Sequence, residues 1–441
     1  MASKNIMLIK SLIDKSNKSP VGISGNLSSI KSFINITQDQ IDFQTKIVPI
    51  EMLNDWSFDK ITGNFFHDSK RFFSLQGLQS GNEKLPILVQ QEIGILGFLA
   101  ANFDGIFHLL VQLKVEPGNP NGFQISPTVQ ATRSNYSQVH GGKLPPFLEF
   151  FIPGRATKTV RDSYQSEQGW RYYRKRNRNL IVFTENPPEP SASHIWMTLH
   201  QIKELSKEPL LINSCARSVL SMLPITSEEL SNEEFLLHED HEIFSKLLDS
   251  HDLSIDHSNL INLNEINNWF NDDGCFRNDE NNNFNIIGVE VSGISREVKS
   301  WMQPLLREKS EGEYGLLIAT INGIPQILWK LRNEPGLIKG AELGPTWINR
   351  GHQNESDSWG FKIHQKGKEL IKIALAEEGG RFFESIFNHK IISIGEVSKE
   401  ELGKDIIPLS LKQTERFISN YSLLTIEARS LWSLMRSEWF E

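Results

Sequence analysis

The sequence predicts an α+β protein in which one structural unit occurs twice along the chain. Three observations support this: matching motifs recur in the same order in both halves, each half begins with strand-like runs, and each half closes with two helical patterns. The length of 441 residues would by itself allow two or three unrelated domains. The repeated order of motifs indicates two homologous halves instead.

The repeat is clearest in two pairs of segments. Residues 113–118 return as residues 331–336, and residues 168–173 correspond to residues 378–383. Chance can supply one such match, but not several in the same order. Three further pairs keep that order: Pro127-Thr128 with Pro345-Thr346, residues 216–221 with 428–433, and Trp56 with Trp269.

Each half is expected to begin with antiparallel strands. The apolar runs at 93–99 and 314–321 are followed by Asx-Gly pairs at 104–105 and 322–323. An Asx-Gly pair between apolar runs is typical of a tight hairpin turn.

Each half is expected to end in a pair of helices. Thr198 with Gln201, and Ser410 with Gln413, have the spacing of a capping box, which predicts the start of a helix. The repeated unit is therefore predicted to be a mixed sheet followed by a C-terminal helix pair.

The chain is predicted to have four parts. Residues 1–39 form an N-terminal extension, 40–225 the first repeat, 226–261 an acidic linker, and 262–441 the second repeat. The linker is expected to be solvated, with an amphipathic helix around residues 244–248.

Composition excludes several classes of protein. The chain carries 46 Lys plus Arg against 54 Asp plus Glu, a net charge of −8, which disfavours a nucleic-acid or membrane-surface coat. Two cysteines cannot form a disulfide framework and fit a reducing compartment, so we expect a cytoplasmic protein. No apolar run approaches the roughly 20 residues of a membrane span.

The densest polar stretch covers residues 124–136. Its hydroxyls, amides, guanidinium and phenol could converge on a sugar or a diphosphate, with Arg133 as a bidentate partner of phosphate oxygens. A polar surface loop is the alternative interpretation. Trp56 could stack on a base or sugar, although a core tryptophan is the simpler interpretation.

Three other features allow a functional and a structural interpretation. Residues 67–73 place His67 among acids and bases, which suits acid–base catalysis, but a histidine at an exposed strand edge fits equally. The basic run at 171–178 could contact RNA, yet the acidic chain favours a substrate phosphate or a salt-bridged strand. Glu116 and Glu334 precede Pro-Gly turns in both halves, which favours a shared structural role over a catalytic one.

Several of these segments together resemble the NDP-hexose 2,3-dehydratase family. The resemblance is carried by residues 67–73, 116–136, 165–169 and 174–179, and by the internal duplication. It covers about residues 45–440, apart from the acidic linker.

The resemblance implies a lyase that removes water across C2–C3 of a dTDP-4-keto-6-deoxyhexose, giving a 3,4-diketo-2,6-dideoxy sugar in deoxysugar biosynthesis. It implies tandem Nudix-like repeats and a homodimer, without metal or redox cofactor. A separate 3-ketoreductase would trap the product. The sequence lacks a Nudix box, so pyrophosphate hydrolysis is not expected.

The resemblance also implies a nucleotide-sugar pocket in each half. Residues expected in the first pocket are Trp56, Arg71, Thr132, Arg133, Ser134, Asn135, Tyr136 and Ser166. Residues expected in the second are Trp269, Arg332, Thr346, Trp347, Ile348, Glu378, Gly379, Gly380 and Arg381.

Turnover is expected in the first pocket, because the second half departs from the family pattern at residues 278–284 and 346–348. His67 or Tyr136 is the expected base, with Arg71 and Arg133 on phosphate or enolate. The main alternative is a nucleotide-sugar binding protein without catalysis.

Overall fold

The computed structural model describes residues 2–132, 144–152, 157–225, 238–255, 258–278, 284–293, 299–338, 340–350 and 353–438. The stretch from Arg133 to Tyr136, expected in the first pocket, therefore lies outside the described residues. Within the described ranges the protein is mixed α+β, as the sequence predicts, with several sheets and few helices. None of the helices described is long and apolar enough to cross a membrane.

The first central sheet belongs to the first half. Its strands are Gly94–Phe103, Ile106–Val115, Phe123–Ser126, Val129–Ala131, Lys158–Ser166, Arg176–Thr184 and His194–Thr198. Strand Gly94–Phe103 pairs antiparallel with Ile106–Val115 and parallel with Arg176–Thr184. The predicted hairpin is confirmed, because Asp104 and Gly105 both have positive φ, as a tight turn between twisted strands requires.

The second central sheet repeats this pattern. Its strands are Gly312–Ile321, Ile324–Asn333, Ala341–Gly344, Trp347–Arg350, Gln353–Asn354, Lys368–Ala376, Ile386–Glu396 and Ile406–Leu409. Gly312–Ile321 pairs antiparallel with Ile324–Asn333 and parallel with Ile386–Glu396. The turn at Asn322 and Gly323 again has positive φ at both positions.

Two outer sheets are completed by an exchange of strands between the halves. The first contains Trp56–Phe58, Phe65–His67, Ser74–Ser80, Glu83–Val89 and Ser258–Ile261. The second contains Phe43–Val48, Trp269–Asp272, Cys275–Asn278, Phe284–Gly293 and Ser300–Glu308. Phe43–Val48 thus pairs with a strand of the second half, and Ser258–Ile261 with a strand of the first.

The helices lie mainly on the central sheets. Their bounds are Ala2–Asn17, Leu27–Asp39, Leu199–Ser206, Ser214–Leu220, Asp240–Ile255, Trp359–His364, Leu411–Ser419 and Ile426–Glu438. Short 3-10 turns cover Ile50–Met52, Leu148–Phe150, Leu263–Glu265 and Lys399–Glu401, and Val21–Gly22 pairs with Gly25–Asn26. Both predicted capping boxes, at Thr198 and Ser410, are present.

The segment expected to be a solvated linker is partly buried. The expected amphipathic helix lies within Asp240–Ile255, where Ile243 and Leu247 join the main core. The following strand, Ser258–Ile261, belongs to the first outer sheet. Apolar spacing within the helix predicts its buried face, but nothing local predicts the strand's partner.

Two buried arginines cross between the closing helices of the halves. Arg217 donates Nε to Ser430 at 3.1 Å, and Arg429 donates Nε to Ser218 at 2.9 Å. Arg429 also donates to the backbone oxygen of Ser166 at 2.6 Å. Both guanidinium groups are buried, so each must find its partners within the protein.

We expect Arg429→Ala to lower the free energy of unfolding by about 3 kcal/mol, because it leaves buried acceptors without their donor. Denaturant unfolding would measure the change. Lys362→Ala is the control, since its pairing with Asp357 is exposed and its loss should leave stability nearly unchanged. Equal changes in the free energy of unfolding for the two substitutions would contradict a structural role for the contacts that Arg429 makes with the other half.

Candidate functional site

The turn that follows a central strand in each half inserts against a glycine turn of the other half. Gly118 donates its N–H to the oxygen of Gly379 at 2.7 Å, and Gly336 donates to the oxygen of Gly169 at 2.8 Å. A Cβ at Gly118 would lie 1.7 Å from the backbone oxygen of Phe382. The contact therefore requires glycine, and it places side chains of both halves in one cluster.

The side chains around the contact between Gly118 and Gly379 are called the first cluster. It combines Gln90, Lys114, Glu116, Gln130 and Asn213 of the first half with Glu378, Gly380 and Arg381 of the second. The corresponding place, the second cluster, combines Ser166, Gly169 and Arg171 with Glu308, Glu334, Glu342 and Glu427.

An amide joins two carboxyl groups in the first cluster. Gln130 Nε2 donates to Glu116 Oε1 at 2.9 Å and lies 3.5 Å from Glu378 Oε1. Asn213 Nδ2 donates to Gln130 Oε1 at 3.0 Å. The carboxyl groups come from different halves, so the pair exists only when the halves are assembled.

The two carboxyl groups are electrostatically unequal. Glu378 is half-buried as a residue, but its carboxyl group is enclosed between the halves. Burial, and next the charge of Glu116, raise the pKa of Glu378 to about 8, against smaller opposing effects of Arg381 and Lys114. Glu116 is 5% exposed, and its Oε2 has no hydrogen-bond partner among the described residues.

Arg381 supplies a positive charge beside this pair. Its Nη1 donates to the oxygen of Gly380 at 2.7 Å, and its Nη2 lies 3.4 Å from Gln90 Oε1. Its guanidinium stacks 4.1 Å from the ring centroid of Phe73. Arg381 Nε is buried without a hydrogen-bond partner in the described parts of the chain, so it can serve an oxygen of a ligand.

The second cluster has the same framework, with a buried ion pair that has no counterpart in the first. Arg171 forms an ion pair with Glu308 at 3.0 Å, and the two side chains are 0% and 5% exposed. Glu308 occupies the position that Gln90 has in the first cluster. Glu334 Oε2 accepts the N–H of Gly169 at 2.8 Å. Burial raises the pKa of Glu334 to about 8, as it does for Glu378, so the Arg171–Glu308 ion pair is the feature that sets the second cluster apart and favours a structural role for it.

The expected residues Trp56 and His67 lie together in the first outer sheet. Trp56 is buried and donates Nε1 to the oxygen of Met302 at 3.0 Å. His67 packs edge-on against Trp56 with ring centroids 5.4 Å apart, and burial lowers its pKa. The rings of Trp56 and Phe73 lie between His67 and Arg381. His67 is thus separated from the first cluster by aromatic side chains.

The other residues expected in the first pocket are dispersed. Arg71 is exposed, and Thr132 is half-buried at the end of a described range. Ser166 is buried and donates to Glu342 Oε2 at 2.6 Å, in the second cluster. Four expected residues lie outside the described residues: Arg133, Ser134, Asn135 and Tyr136.

The tryptophans expected in the second pocket are core residues in the structure. Trp269 is buried against Phe276, with ring centroids 5.3 Å apart. Trp347 is buried, donates Nε1 to Glu313 at 3.0 Å and stacks on His364. These contacts hold the rings inside the fold.

Three more residues expected there also have structural partners. Arg332 donates to the oxygen of Pro345 and pairs with Glu355, with Nη2 3.1 Å from Oε2. Thr346 Oγ1 accepts the N–H of Leu317 at 2.9 Å and is fully buried. Ile348 is also fully buried.

The remaining residues expected in the second pocket are grouped differently by the structure. Residues 378–381 lie against the turn at Glu116, not beside Arg332. The sequence assigned them to the second half, and the structure places them across the contact between halves. Gln90 and Asn213 were not anticipated at all, while the repeated Glu-Pro-Gly motif did single out Glu116.

The cluster lacks the features of a metal centre. Among the residues described, no group of three or more His, Cys, Asp or Glu side chains is arranged to hold a metal ion. What the first cluster does provide is two carboxyl groups joined by an amide beside an arginine, and burial raises the pKa of one of them, Glu378. That arrangement suits proton transfer to and from a bound substrate.

Comparison with known proteins identifies the family of the chain. The family model described as NDP-hexose 2,3-dehydratase matches two stretches of the chain, residues 27–223 and 241–435. The chain belongs to the NDP-hexose 2,3-dehydratase family.

Curated relatives span most of the chain. One from Saccharopolyspora spinosa is 33% identical over 90% of this chain and 88% of its own. Others from Amycolatopsis orientalis and Streptomyces violaceoruber are 34% and 32% identical, over 82% and 88% of this chain and 80% and 92% of their own. All three are named dTDP-4-dehydro-6-deoxy-alpha-D-glucopyranose 2,3-dehydratase.

One solved structure, titled "Crystal structure of ADP compounds hydrolase", aligns with 35% of this chain and 84% of its own length. The identity is 12% and the TM-score 0.23, which is too low to support a conclusion about fold or function.

We expect Glu378→Gln to stabilise the protein at alkaline pH. The folded protein keeps a proton on Glu378 up to about pH 8, whereas the unfolded chain releases this proton above the ordinary pKa of 4.5. Because the folded state binds more protons between these values, the free energy of unfolding falls as the pH rises towards about 8. Glutamine stays neutral and keeps the acceptor for Gly380. The gain in melting temperature should be largest above pH 8 and vanish towards pH 5.

Glu369→Gln, on an exposed strand position, is the matched control and should show no such trend. A pH-independent difference between wild type and Glu378→Gln would contradict the raised pKa.

Proposed function

We propose that the chain removes water across C2–C3 of a dTDP-4-keto-6-deoxyhexose, and that the first cluster carries the reaction. The observation that carries the proposal is the pair of carboxyl groups of Glu116 and Glu378, which Gln130 bridges beside Arg381, with the pKa of Glu378 raised. Family membership and the names of the curated relatives supply the substrate.

The first step is proton abstraction. The C4 ketone acidifies the proton on C3, and a carboxylate removes it, leaving negative charge on the C4 oxygen. Glu116 Oε2 is the proposed base, because it is buried without a partner among the described residues. Arg381 Nε also has no hydrogen-bond partner among the described residues, and it is the proposed donor to the developing enolate oxygen.

The second step is loss of the C2 hydroxyl group. The enolate electrons form the C2–C3 double bond while the C2–O bond breaks, and an acid must protonate the departing hydroxyl to release water. The raised pKa of Glu378 keeps its carboxyl group protonated near neutral pH, so Glu378 is the proposed acid. The enol then takes a proton at C2 and loses the proton of its C3 hydroxyl group, which gives the 3,4-diketo-2,6-dideoxy sugar.

Charge pairing supports turnover in the first cluster over the second. The second cluster neutralises Arg171 with Glu308, whereas the first sets Arg381 beside the neutral amide of Gln90. A buried arginine already paired with a carboxylate has little to gain from an enolate. The second cluster is therefore proposed to stabilise the assembly of the halves.

The proposal includes the architecture of the chain. Two Nudix-like repeats, 40–225 and 262–441, would follow the extension 1–39 and be joined by the acidic segment 226–261. Support comes from the parallel strand pairing that occurs once in each central sheet. A homodimer and a separate 3-ketoreductase that consumes the diketo product complete the proposal.

We expect incubation with dTDP-4-keto-6-deoxyglucose to release dTDP and maltol, the breakdown products of an untrapped diketo sugar. Glu378→Gln should lower kcat by about 10²- to 10⁴-fold, the range for loss of a general acid. Chromatography of dTDP and maltol gives the rate. Glu369→Gln again serves as the exposed control.

Glu334→Gln, at the second-cluster position that corresponds to Glu116, tests where turnover occurs. Retained turnover supports the first cluster, and a loss equal to that of Glu378→Gln would contradict it. Tight binding of dTDP by the wild type without any change to the sugar would instead support the nucleotide-sugar binding alternative.

His67 and Tyr136 remain proposed candidates for the base, with Arg71 and Arg133 on phosphate or enolate. If either acts as the base, His67→Ala or Tyr136→Phe should abolish exchange of the C3 hydrogen with solvent, measured by NMR in deuterated buffer. Near-wild-type turnover by both variants would show that this assignment is wrong and leave Glu116 as the base.

A further inference from the structure

We propose that Gln130, oriented by Asn213, is the positioning residue that holds Glu116 and Glu378 as one acid–base pair. The inference rests on the proposed function of that pair. It adds a specific chain of contacts that runs from a helix cap to the two carboxyl groups.

The chain of contacts begins at the helix Ser214–Leu220. Asn213 is the N-cap residue of this helix, and its Oδ1 accepts the N–H of Ala216 at 2.7 Å. Its Nδ2 is thereby turned towards Gln130 and donates to Oε1 at 3.0 Å. Asn213 is 1% exposed, so its orientation is fixed by the cap and by packing.

This contact determines which end of the Gln130 amide faces the carboxyl groups. The Asn213 amide nitrogen can only donate, so it must meet the oxygen of Gln130. The nitrogen of Gln130 then points to Glu116 Oε1 at 2.9 Å and towards Glu378 Oε1 at 3.5 Å. In the opposite orientation the amide oxygen would face two carboxyl oxygens and push them apart.

The backbone of Gln130 is held as well. Gln130 lies in the strand Val129–Ala131, which pairs with Gly94–Phe103, and its carbonyl oxygen accepts from Lys114 Nζ at 2.9 Å. Both ends of the residue are therefore fixed, so the amide can set the positions of the two carboxyl groups.

The fixed amide has two chemical consequences. Donation to Oε1 fixes the direction of the Glu116 carboxyl group and leaves its Oε2, which has no hydrogen-bond partner among the described residues, for the substrate. The charge held on Glu116 in turn helps to raise the pKa of Glu378 and keeps the acid protonated. Gln130 thus acts through both carboxyl groups without itself exchanging a proton.

The second cluster shows the same cap without the bridge. The position of Asn213 is taken by Thr425, whose Oγ1 accepts the N–H of Ala428 at 3.3 Å. The position of Gln130 is taken by Ile348, which has no polar side-chain atom and is fully buried. The helix cap therefore needs only an acceptor, so the amide of Asn213 serves something other than the cap.

The test replaces Asn213 by the residue that caps the corresponding helix. Asn213→Thr keeps an oxygen acceptor for the cap and removes the donor to Gln130. We expect kcat to fall by about 10²-fold, as for a misplaced catalytic group, with KM changed by less than about threefold. We also expect the alkaline limb of the kcat profile to move to lower pH, because Glu378 loses part of what keeps it protonated.

Two further variants separate positioning from general damage. Asn26→Thr changes the N-cap of Leu27–Asp39 in the same way and should leave kcat and the pH profile unchanged. Gln130→Met removes the bridging amide with little change of volume and should reproduce the Asn213→Thr profile. Because Asn213 acts through Gln130, the double variant should fall no further than Gln130→Met alone.

If Asn213→Thr keeps the kcat and the pH profile of the wild type, the positioning role is overturned. It is also overturned if the losses of kcat in the two single variants add up in the double variant. If Gln130→Met fails to fold, Asn213→Thr measured against Asn26→Thr decides the question alone. If the wild type itself shows no turnover, the proposed function is overturned together with this inference. If the wild type turns over but Asn213→Thr behaves like it, only the positioning role is overturned.

Discussion

The contact between the Glu-Pro-Gly turn of one half and the glycine turn of the other is the constraint on which the rest of the site depends. Backbone groups meet directly at Gly118 and Gly379, and again at Gly336 and Gly169. A side chain at Gly118 would collide with the backbone opposite. Because the turns approach so closely, acidic side chains next to them are brought together from distant parts of the sequence.

The same contact occurs twice, yet its electrostatic result differs. In the second cluster the buried Arg171 is neutralised by Glu308, which makes a closed ion pair. In the first cluster Gln90 stands in the place of that carboxylate, so Arg381 meets a neutral amide there and lies near Glu378. The exchange of a carboxylate for an amide is one of the differences on which the different roles proposed for the two clusters rest.

Other interactions keep the halves in this register. The strands Phe43–Val48 and Ser258–Ile261 are exchanged, and Arg217 and Arg429 cross between the closing helices. Each of these contacts satisfies polar groups of one half with partners in the other. Separation of the halves would expose all of them at once, so the site is held by contacts well outside it.

Sequence patterns alone predicted a repeated unit, and they correctly predicted the hairpins at Asp104-Gly105 and Asn322-Gly323, the capping boxes at Thr198 and Ser410, and the family. These features are local, because turn residues, caps and motifs act over a few positions. The sequence also indicated Glu116 through the repeated motif, although it favoured a structural role for that residue.

The contacts between segments of the two halves became visible in the tertiary structure alone. Residues 378–381 were grouped by the sequence with Arg332 of their own half, but they face Glu116 of the other. The exchanged strands and the partnership of Gln130 with Asn213 were likewise beyond local patterns. Periodicity shows which face of an element is buried, whereas the partner of that face is set by contacts between residues far apart in the chain.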